Sequence, residues 1–551
     1  MENASICEAA SHPTSTPSLP SSDVKAAQTA HESSAMQMSG RGEPSDVRSL
    51  PNNILARVFF LLMMLTIEEH YPEDPSLCYD WLTVTAVCRR WNTVAMQTPN
   101  LWSRIFIPTN EAFLELLLER SGDALLYVSY DDNDFEDVLA CLDTLELVLN
   151  EHSHRIRDLF LSIDPEAYEE IQGELHHPMS HLRTWHMCTN TDGEFPEAYL
   201  DHGNMPALQV FRNAGHYTVP WNSLSSMSTL RVLDLAYDSR DETVTLSTIL
   251  NILNGMPLLQ RLRLVDLITS VDTEPRPIMM YHLEDCEIVS TPTFCATLLQ
   301  YLRTPSEMRL LIRYTTVETA DSDYALLLSP ILTKLSGATT LSPPSPLTSF
   351  GVSITEAGEF CGWRTPIGFE DPSSSGFVDV CAFRLQIPSC PKQLAEFIKP
   401  LPLQDVQVLR MYIPSDFPDD SSQLEIADLA LLSTCMPNVN TLVCSGGTSQ
   451  IYSMCLCKSH GTIPGNGLAW PSLATLVMQN VSFSFRHGHK YDSDKIEELR
   501  KGLQDRQSRG CAPLDRLYIR RSVIKESDLD MLTDCAKAVI EERNTHPPSS
   551  R

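Results

Sequence analysis

Eight times along the chain one short pattern returns: an apolar residue, two variable ones, an apolar residue, one variable one, and a third apolar residue. It reads Ile156/Leu159/Leu161, Leu182/Trp185/Met187, Leu230/Leu233/Leu235 and Leu259/Leu262/Leu264. It returns at Val406/Leu409/Met411, Val439/Leu442/Cys444, Leu473/Leu476/Met478 and Leu514/Leu517/Ile519. The last two positions of each unit alternate at period two, as in a short strand with one buried face. A chain of 551 residues exceeds what one hydrophobic core supports. A repeat removes that difficulty, because each unit buries its face against the next.

Helical stretches lie between these strands. Leu246, Ile249, Leu250 and Leu253 mark one, and Phe294, Leu298, Leu299 and Leu302 another. Leu394, Phe397 and Ile398 suggest a third, and Leu429 with Leu432 a fourth. Several end in a Pro-marked turn before the next strand, as in Gly255-Met256-Pro257 and Cys435-Met436-Pro437. Helix, turn and strand in repetition predict an irregular leucine-rich-repeat solenoid over 111–545, an α/β architecture with parallel strands alternating with helices. Starts at 156, 182, 208, 230 and 259 step by 26, 26, 22 and 29 residues, and those at 406, 439, 473 and 514 by 33, 34 and 41. The Pro- and Ser-rich stretches at 341–346 and 371–376 predict long surface loops, with the array interrupted near 310–400 and a break into two sub-arrays near 340 left open.

The N-terminal part is built differently. Residues 1–45 are rich in Ser, Thr, Pro and Ala, too poor in large apolar side chains to offset the entropy of ordering, which predicts a disordered tail. From Asp46 onward a small all-α module is expected over 46–110. Pro51 suits the first turn of a helix, and Ile54, Leu55, Val58, Phe59 and Leu62 recur on one helical face. A polar stretch at 68–76 interrupts, and a second helix carries Trp81, Leu82, Val84, Val87, Cys88 and Trp91. So small and apolar a module cannot enclose all its own side chains, so some of that surface should meet a partner or the following domain.

Three strings in this module belong together: Leu50-Pro51-x-x-Ile54-Leu55-x-x-Val58-Phe59, then Val87-Cys88-Arg89-Arg90-Trp91, then Pro99-x-Leu101-Trp102. Jointly they resemble the F-box motif, and most of all the F-box families of mushroom-forming fungi. The likeness continues through a short helix at 113–122, a strand at 125–130 and His152-Ser-His-Arg-Ile-Arg-Asp-Leu159, where the repeats of such proteins open. Two features depart from the family: Asn53 stands where an acidic residue is usual, and the gap from Phe59 to Val87 is long, its extra residues free to loop out at low entropic cost. The resemblance implies docking on a Skp-type adaptor, and through it on a cullin–RING scaffold that transfers ubiquitin to a protein held by the receptor. It also implies that Leu50, Pro51, Ile54, Leu55, Val58, Phe59, Val87, Cys88 and Trp91 form the adaptor face. For Trp91 and Val87, holding the helices together is an equally open role. A receptor of this kind performs no bond chemistry; it raises the local concentration of its target.

Other readings fit less well. No GxSxG elbow, Gly-Lys-Ser/Thr phosphate loop, HExxH or GxGxxG occurs. Cys455, Cys457 and His460, with Cys435 and Cys444 upstream, offer soft ligands, but a one-residue Cys gap is not a zinc knuckle, and no metal or cofactor is expected. His176, His177, His181, His186 and Cys188 are expected to be surface or structural residues. With 41 Lys and Arg against 71 Asp and Glu, the formal charge of −30 repels phosphate backbones and anionic lipid, so neither nucleic acid nor membrane is expected as partner. The most apolar run, 58–65, is too short to cross a bilayer. The 16 scattered cysteines and the absence of a secretory signal pattern fit the cytosol or nucleus. Two readings stay open, a receptor subunit of a ubiquitin ligase with an unnamed protein target and a leucine-rich scaffold outside ubiquitin transfer. Deleting residues 1–45 is expected to leave melting temperature and adaptor capture unchanged. A truncated chain that melts several degrees lower would show that the tail packs on the body.

Overall fold

The computed structural model describes residues 50–542 apart from 71–74, 108–109, 132–137, 165–166, 168–169, 172, 195–202, 219–220, 238–243, 267–268, 271–275, 314–328, 338–342, 355–357, 366–380, 388–397, 414–425, 447–468, 482–492 and 523. The segment 1–45, the Cys455/Cys457/His460 group, the stretch 371–376, and Leu394 with Phe397 lie outside the described residues. The chain divides into two compact units, Met1–Leu101 and Trp102–Arg551.

The first unit is helical. Helix α1 spans Asn52–His70, and the Pro51 carbonyl accepts its first amides, from Ile54 at 3.0 Å and Leu55 at 3.1 Å. Leu55, Phe59, Met63 and Ile67, four residues apart, are its buried stripe. A 3-10 helix follows over Pro75–Ala86, and its buried Cys78, Trp81 and Val84 fall every third residue, the period of that helix. Helix α2, Arg89–Met96, buries Val94 and Ala95. The long gap after Phe59 is therefore not a loop: α1 runs on to His70 and the 3-10 helix fills most of the rest. The single second helix expected over Trp81–Trp91 is likewise two elements, with extended Cys88 between them as the N-cap of α2.

In the second unit the described residues form a seventeen-stranded, mostly parallel sheet. Its strands are β1 Arg104–Ile107, β2 Leu126–Asp131, β3 Ile156–Ser162, β4 Thr184–Glu194, β5 Val210–Thr218, β6 Val232–Tyr237, β7 Arg261–Val265, β8 Asp285–Val289 and β9 Arg309–Arg313. They continue as β10 Ser349–Ile354, β11 Gly358–Trp363, β12 Phe383–Ile387, β13 Val408–Ile413, β14 Thr441–Gly446, β15 Thr475–Gln479, β16 Arg516–Arg520 and β17 Val539–Glu542. Strands β1 to β9 pair in chain order, all parallel. Then the order inverts. β9 pairs parallel with β12, β12 and β11 pair antiparallel, β11 and β10 pair antiparallel, and β10 pairs parallel with β13. From β13 to β17 sequential parallel order resumes. The expected interruption between 310 and 400 is thus a reversed meander, and the sheet stays hydrogen-bonded through it.

Register explains the sequence pattern. Leu159, Trp185, Phe211, Leu233 and Leu262 are successive partners in one buried row. Leu409, Leu442, Leu476 and Leu517 continue that row beyond the meander. A second row two residues on takes Leu161, Met187, Asn213, Leu235 and Leu264, and later Met411, Cys444, Met478 and Ile519. In several repeats the first apolar position lies in a tight turn before the strand. The amides of Leu182, Leu208, Leu230, Leu259 and Leu473 each donate to the carbonyl three residues back, on Met179, Met205, Met227, Met256 and Trp470, at 3.0–3.2 Å, with both side chains buried.

Helices occupy several of the intervals: α3 Glu111–Ser121, α4 Val138–His152, α5 Leu246–Asn254, α6 Pro292–Tyr301, α7 Ile426–Cys435, α8 Ser493–Ser508 and α9 Glu526–Leu532. Their starts follow local chemistry: Asn110, Thr245 and Thr291 accept from amides of the first turn, and Pro292 opens α6. Three buried cations hold turn and strand-end carbonyls. Arg155 donates to Ala124 at 3.0 Å, Arg506 to Trp470 at 2.8 Å, and Lys334 to Leu302. Burial pushes the Lys334 ammonium down to about 8, so it still carries most of its charge near neutral pH. Among the described residues no helix is long and apolar enough to cross a membrane.

Two substitutions test this packing. At the end of α5, a Cβ on Gly255 would lie 2.2 Å from the Ser225 carbonyl oxygen, whereas one on Gly173 would meet nothing within 4 Å. Gly255→Ala is expected to cost about 1–3 kcal/mol in urea unfolding and Gly173→Ala about 0.5 kcal/mol or less. Equal midpoints would mean that the turn at 255 has room. In the first unit, Phe59→Ala empties the centre of the buried stripe and is expected to cost about 3–5 kcal/mol, against about 0.5 kcal/mol or less for its neighbour Val58→Ala. Similar losses for the two in thermal unfolding would contradict the burial pattern.

Candidate functional site

Helix α1 has more apolar surface than its own unit covers. Beside the buried stripe runs a second one, Ile54, Val58, Leu61, Leu62 and Leu65, at i, i+4, i+7, i+8 and i+11, left 39–61% exposed. These positions share a helical face. Among the described residues ten large apolar side chains are exposed, and six of them lie between Ile54 and Val87. A helix apolar on two faces is either enclosed or covered by something else.

The sequence-derived candidates separate accordingly. Ile54 is 44% exposed, Val58 46% and Val87 58%, and Pro51 and Cys88 are exposed with them. Leu55 and Phe59 are each 1% exposed, so they hold the unit together and offer no surface. Trp91 is half-buried, its ring centre 5.1 Å from that of Phe59. Half-buried Leu50 contributes its carbonyl, which accepts from Arg90.

Arg90 is absent from those candidates, yet it fixes the geometry. Its Nη2 donates to the Leu50 carbonyl and to Asn52 Oδ1 at 2.9 Å, and its Nε donates to Asn52 Oδ1 at 3.1 Å. This clamp ties the start of α2 to the start of α1, and Arg90 itself stands two residues after exposed Cys88 and three after exposed Val87. Asn92 Nδ2 adds a bond to the Thr85 carbonyl at 3.1 Å, anchoring α2 to the 3-10 helix.

The second unit presents another surface, the sheet face opposite the buried rows. At β1 to β4 it is aromatic: Tyr127 lies 5.7 Å from Phe106 and 4.8 Å from Phe160, and Phe160 lies 5.8 Å from the His186 ring. Burial, and then the neighbouring Arg212 charge, push His186 down to about 4, so it is neutral near pH 7 and no longer a cation in the row. At β13 to β17 the same side of the sheet is apolar and closed, with Val408, Val443, Val477 and Tyr518 in a buried cluster and Ile540 packed against it. Between these zones it is charged. Arg263 bridges Asp234 at 3.1 Å and Glu287 at 3.3 Å, and Asp285 lies between Arg261 at 3.2 Å and Arg309. Burial raises the Asp234 carboxyl above its ordinary value, and the Arg263 contact works against that rise. Arg384 pairs with Glu359 on the meander.

His177 contacts Glu174 at 3.3 Å and Asn150 at 3.1 Å, and His186 stands within the sheet. Among the described residues no group of three or more His, Cys, Asp or Glu is placed to hold a metal ion.

No curated protein matches the chain. Residues 47–108 match the protein-family model described as F-box-like, a span that contains the α1 stripes, the Arg90 clamp and all nine candidate residues. F-box proteins are in general non-catalytic adaptors for substrates, and their F-box domains typically bind Skp-type adaptors. Residues 47–108 are an F-box-like domain, the feature of an adaptor-binding subunit.

Proposed function

We propose that this chain is a non-catalytic substrate receptor of a Skp–cullin–F-box type ubiquitin ligase, working in the cytosol or nucleus. The F-box-like unit docks the adaptor through the exposed α1 stripe, Ile54, Val58, Leu61 and Leu65, with Pro51, Val87 and Cys88 beside it. The second unit, read as an irregular leucine-rich-repeat solenoid, holds the protein target on its outward sheet face. The observation that carries this reading is the second apolar stripe of α1, left uncovered inside the segment that matches the F-box-like family. Leu55 and Phe59 support the face from beneath, so the adaptor meets their neighbours.

Each large apolar side chain buried on docking is worth about 1.5–3 kcal/mol. Converting two central ones to carboxylates should weaken adaptor binding by at least about 3–6 kcal/mol, a hundredfold or more. The full chain carrying Val58→Asp and Val87→Asp is therefore expected to lose co-purification with a Skp-type adaptor while its circular dichroism stays unchanged. A folded double variant that retains the adaptor one-to-one at wild-type affinity would remove the basis of the proposal.

A further inference from the structure

We infer that the charged middle of the outward sheet face docks an Asp/Glu-rich segment of another protein. This deepens the target-holding role proposed above and rests on it.

The charge of this zone has the opposite sign to the chain. Overall the chain carries 41 Lys and Arg against 71 Asp and Glu. On the outward positions of β5 to β13, the described side chains include seven arginines and four carboxylates. A ladder built only to satisfy itself would pair each guanidinium with its own carboxylate. Here each of two carboxylates is divided between two arginines: Asp285 between Arg261 and Arg309, and Glu287 between Arg263 at 3.3 Å and Arg313 at 4.0 Å. Arg212, in the same cross-strand row as Asp234 and Arg263, makes no ion pair among the described residues. A guanidinium has five donors, and the 4.0 Å contact between Arg313 and Glu287 leaves the Arg313 Nε without a hydrogen bond, so that guanidinium can also meet a further anion. Arg313 is accessible for that purpose, its side chain 34% exposed, and Arg309 beside it is 44% exposed.

The dimensions suit a polypeptide. Nine strands about 4.8 Å apart give a zone roughly 40 Å wide, the length of an extended segment of about a dozen residues. Its borders are apolar and aromatic, with Tyr127 and Phe160 on one side and exposed Tyr412 on the other. Those borders accommodate apolar and aromatic side chains flanking an acidic run, and the arginine excess between them complements its carboxylates.

The test uses the full chain and a fluorescein-labelled peptide of alternating Asp and Gly, about twelve residues long. An Asn/Gly peptide and an oligothymidylate of the same length serve as comparisons. Anisotropy at low salt is expected to show saturable binding of the acidic peptide alone, weakening as salt rises. Arg309→Ala with Arg313→Ala leaves Asp285 and Glu287 each with one arginine, and should weaken binding roughly tenfold or more. Arg309→Lys with Arg313→Lys should recover most of it, and Arg212→Gln, which breaks no ion pair among the described residues, serves if the alanine variant fails to fold. No binding of the acidic peptide, equal binding of the Asn/Gly peptide, or unchanged affinity in every folded variant would overturn the inference. Preference for oligothymidylate would also overturn it, by assigning the surface to phosphate. Adaptor capture is measured in parallel: its loss with peptide binding intact would sink the receptor proposal alone, and the converse would sink this one alone.

Discussion

A parallel strand cannot reach its neighbour through a hairpin; the chain must leave the sheet, cross its face and return in register. That constraint shapes the second unit. Several of the returns end in the same device, a buried Met or Trp whose carbonyl receives the amide of a buried Leu three residues on, as at Met256 and Leu259. The turn delivers the next strand with its side chains already in phase, so that Leu233 meets Leu262 and Leu235 meets Leu264. The two buried rows continue where the turns repeat this phase. At the entry to the Met256 turn, Gly255 lies against Ser225, and a small residue is needed for the backbones to approach.

The first unit meets the opposite problem. Two short helical elements cannot surround a nineteen-residue helix that is apolar on two sides. One stripe closes against the 3-10 helix and α2 while the other stays bare, and the Arg90 clamp fixes which is which by tying the start of α1 to the start of α2. The proposed division of labour follows: stability resides in Leu55 and Phe59, recognition in Ile54 and Val58, although the four alternate in sequence.

Much of this was legible in the residues. The strands at 156, 182, 230, 259, 406, 439, 473 and 514 follow from period-two alternation, and α5 and α6 from apolar spacing. The meander was not legible, because β10 to β12 have no spacing that distinguishes antiparallel return from parallel progress, and inversion of strand order is a tertiary choice. Nor could the sequence separate Val58 from Phe59. Helical periodicity groups neighbouring apolar residues on one face, and only packing decides which is enclosed. The charged zone escaped for another reason. Arg263, Asp285 and Arg309 lie on three different strands, and their adjacency exists only in register.

The reversed meander also bears on how the second unit assembles. Elsewhere neighbouring strands are close in sequence, as Leu233 and Leu262 are, whereas Leu310 must find Phe383 and Phe350 must find Leu409. Closing those longer loops costs more entropy before any contact rewards it, so the seam there forms late on either side of strands that can zip locally. The array from β1 to β9 and the array from β13 to β17 would then behave as separate foldons joined at the meander. Protection from amide exchange should step at that seam, and the charged zone, which straddles it, would be complete only after both halves have joined.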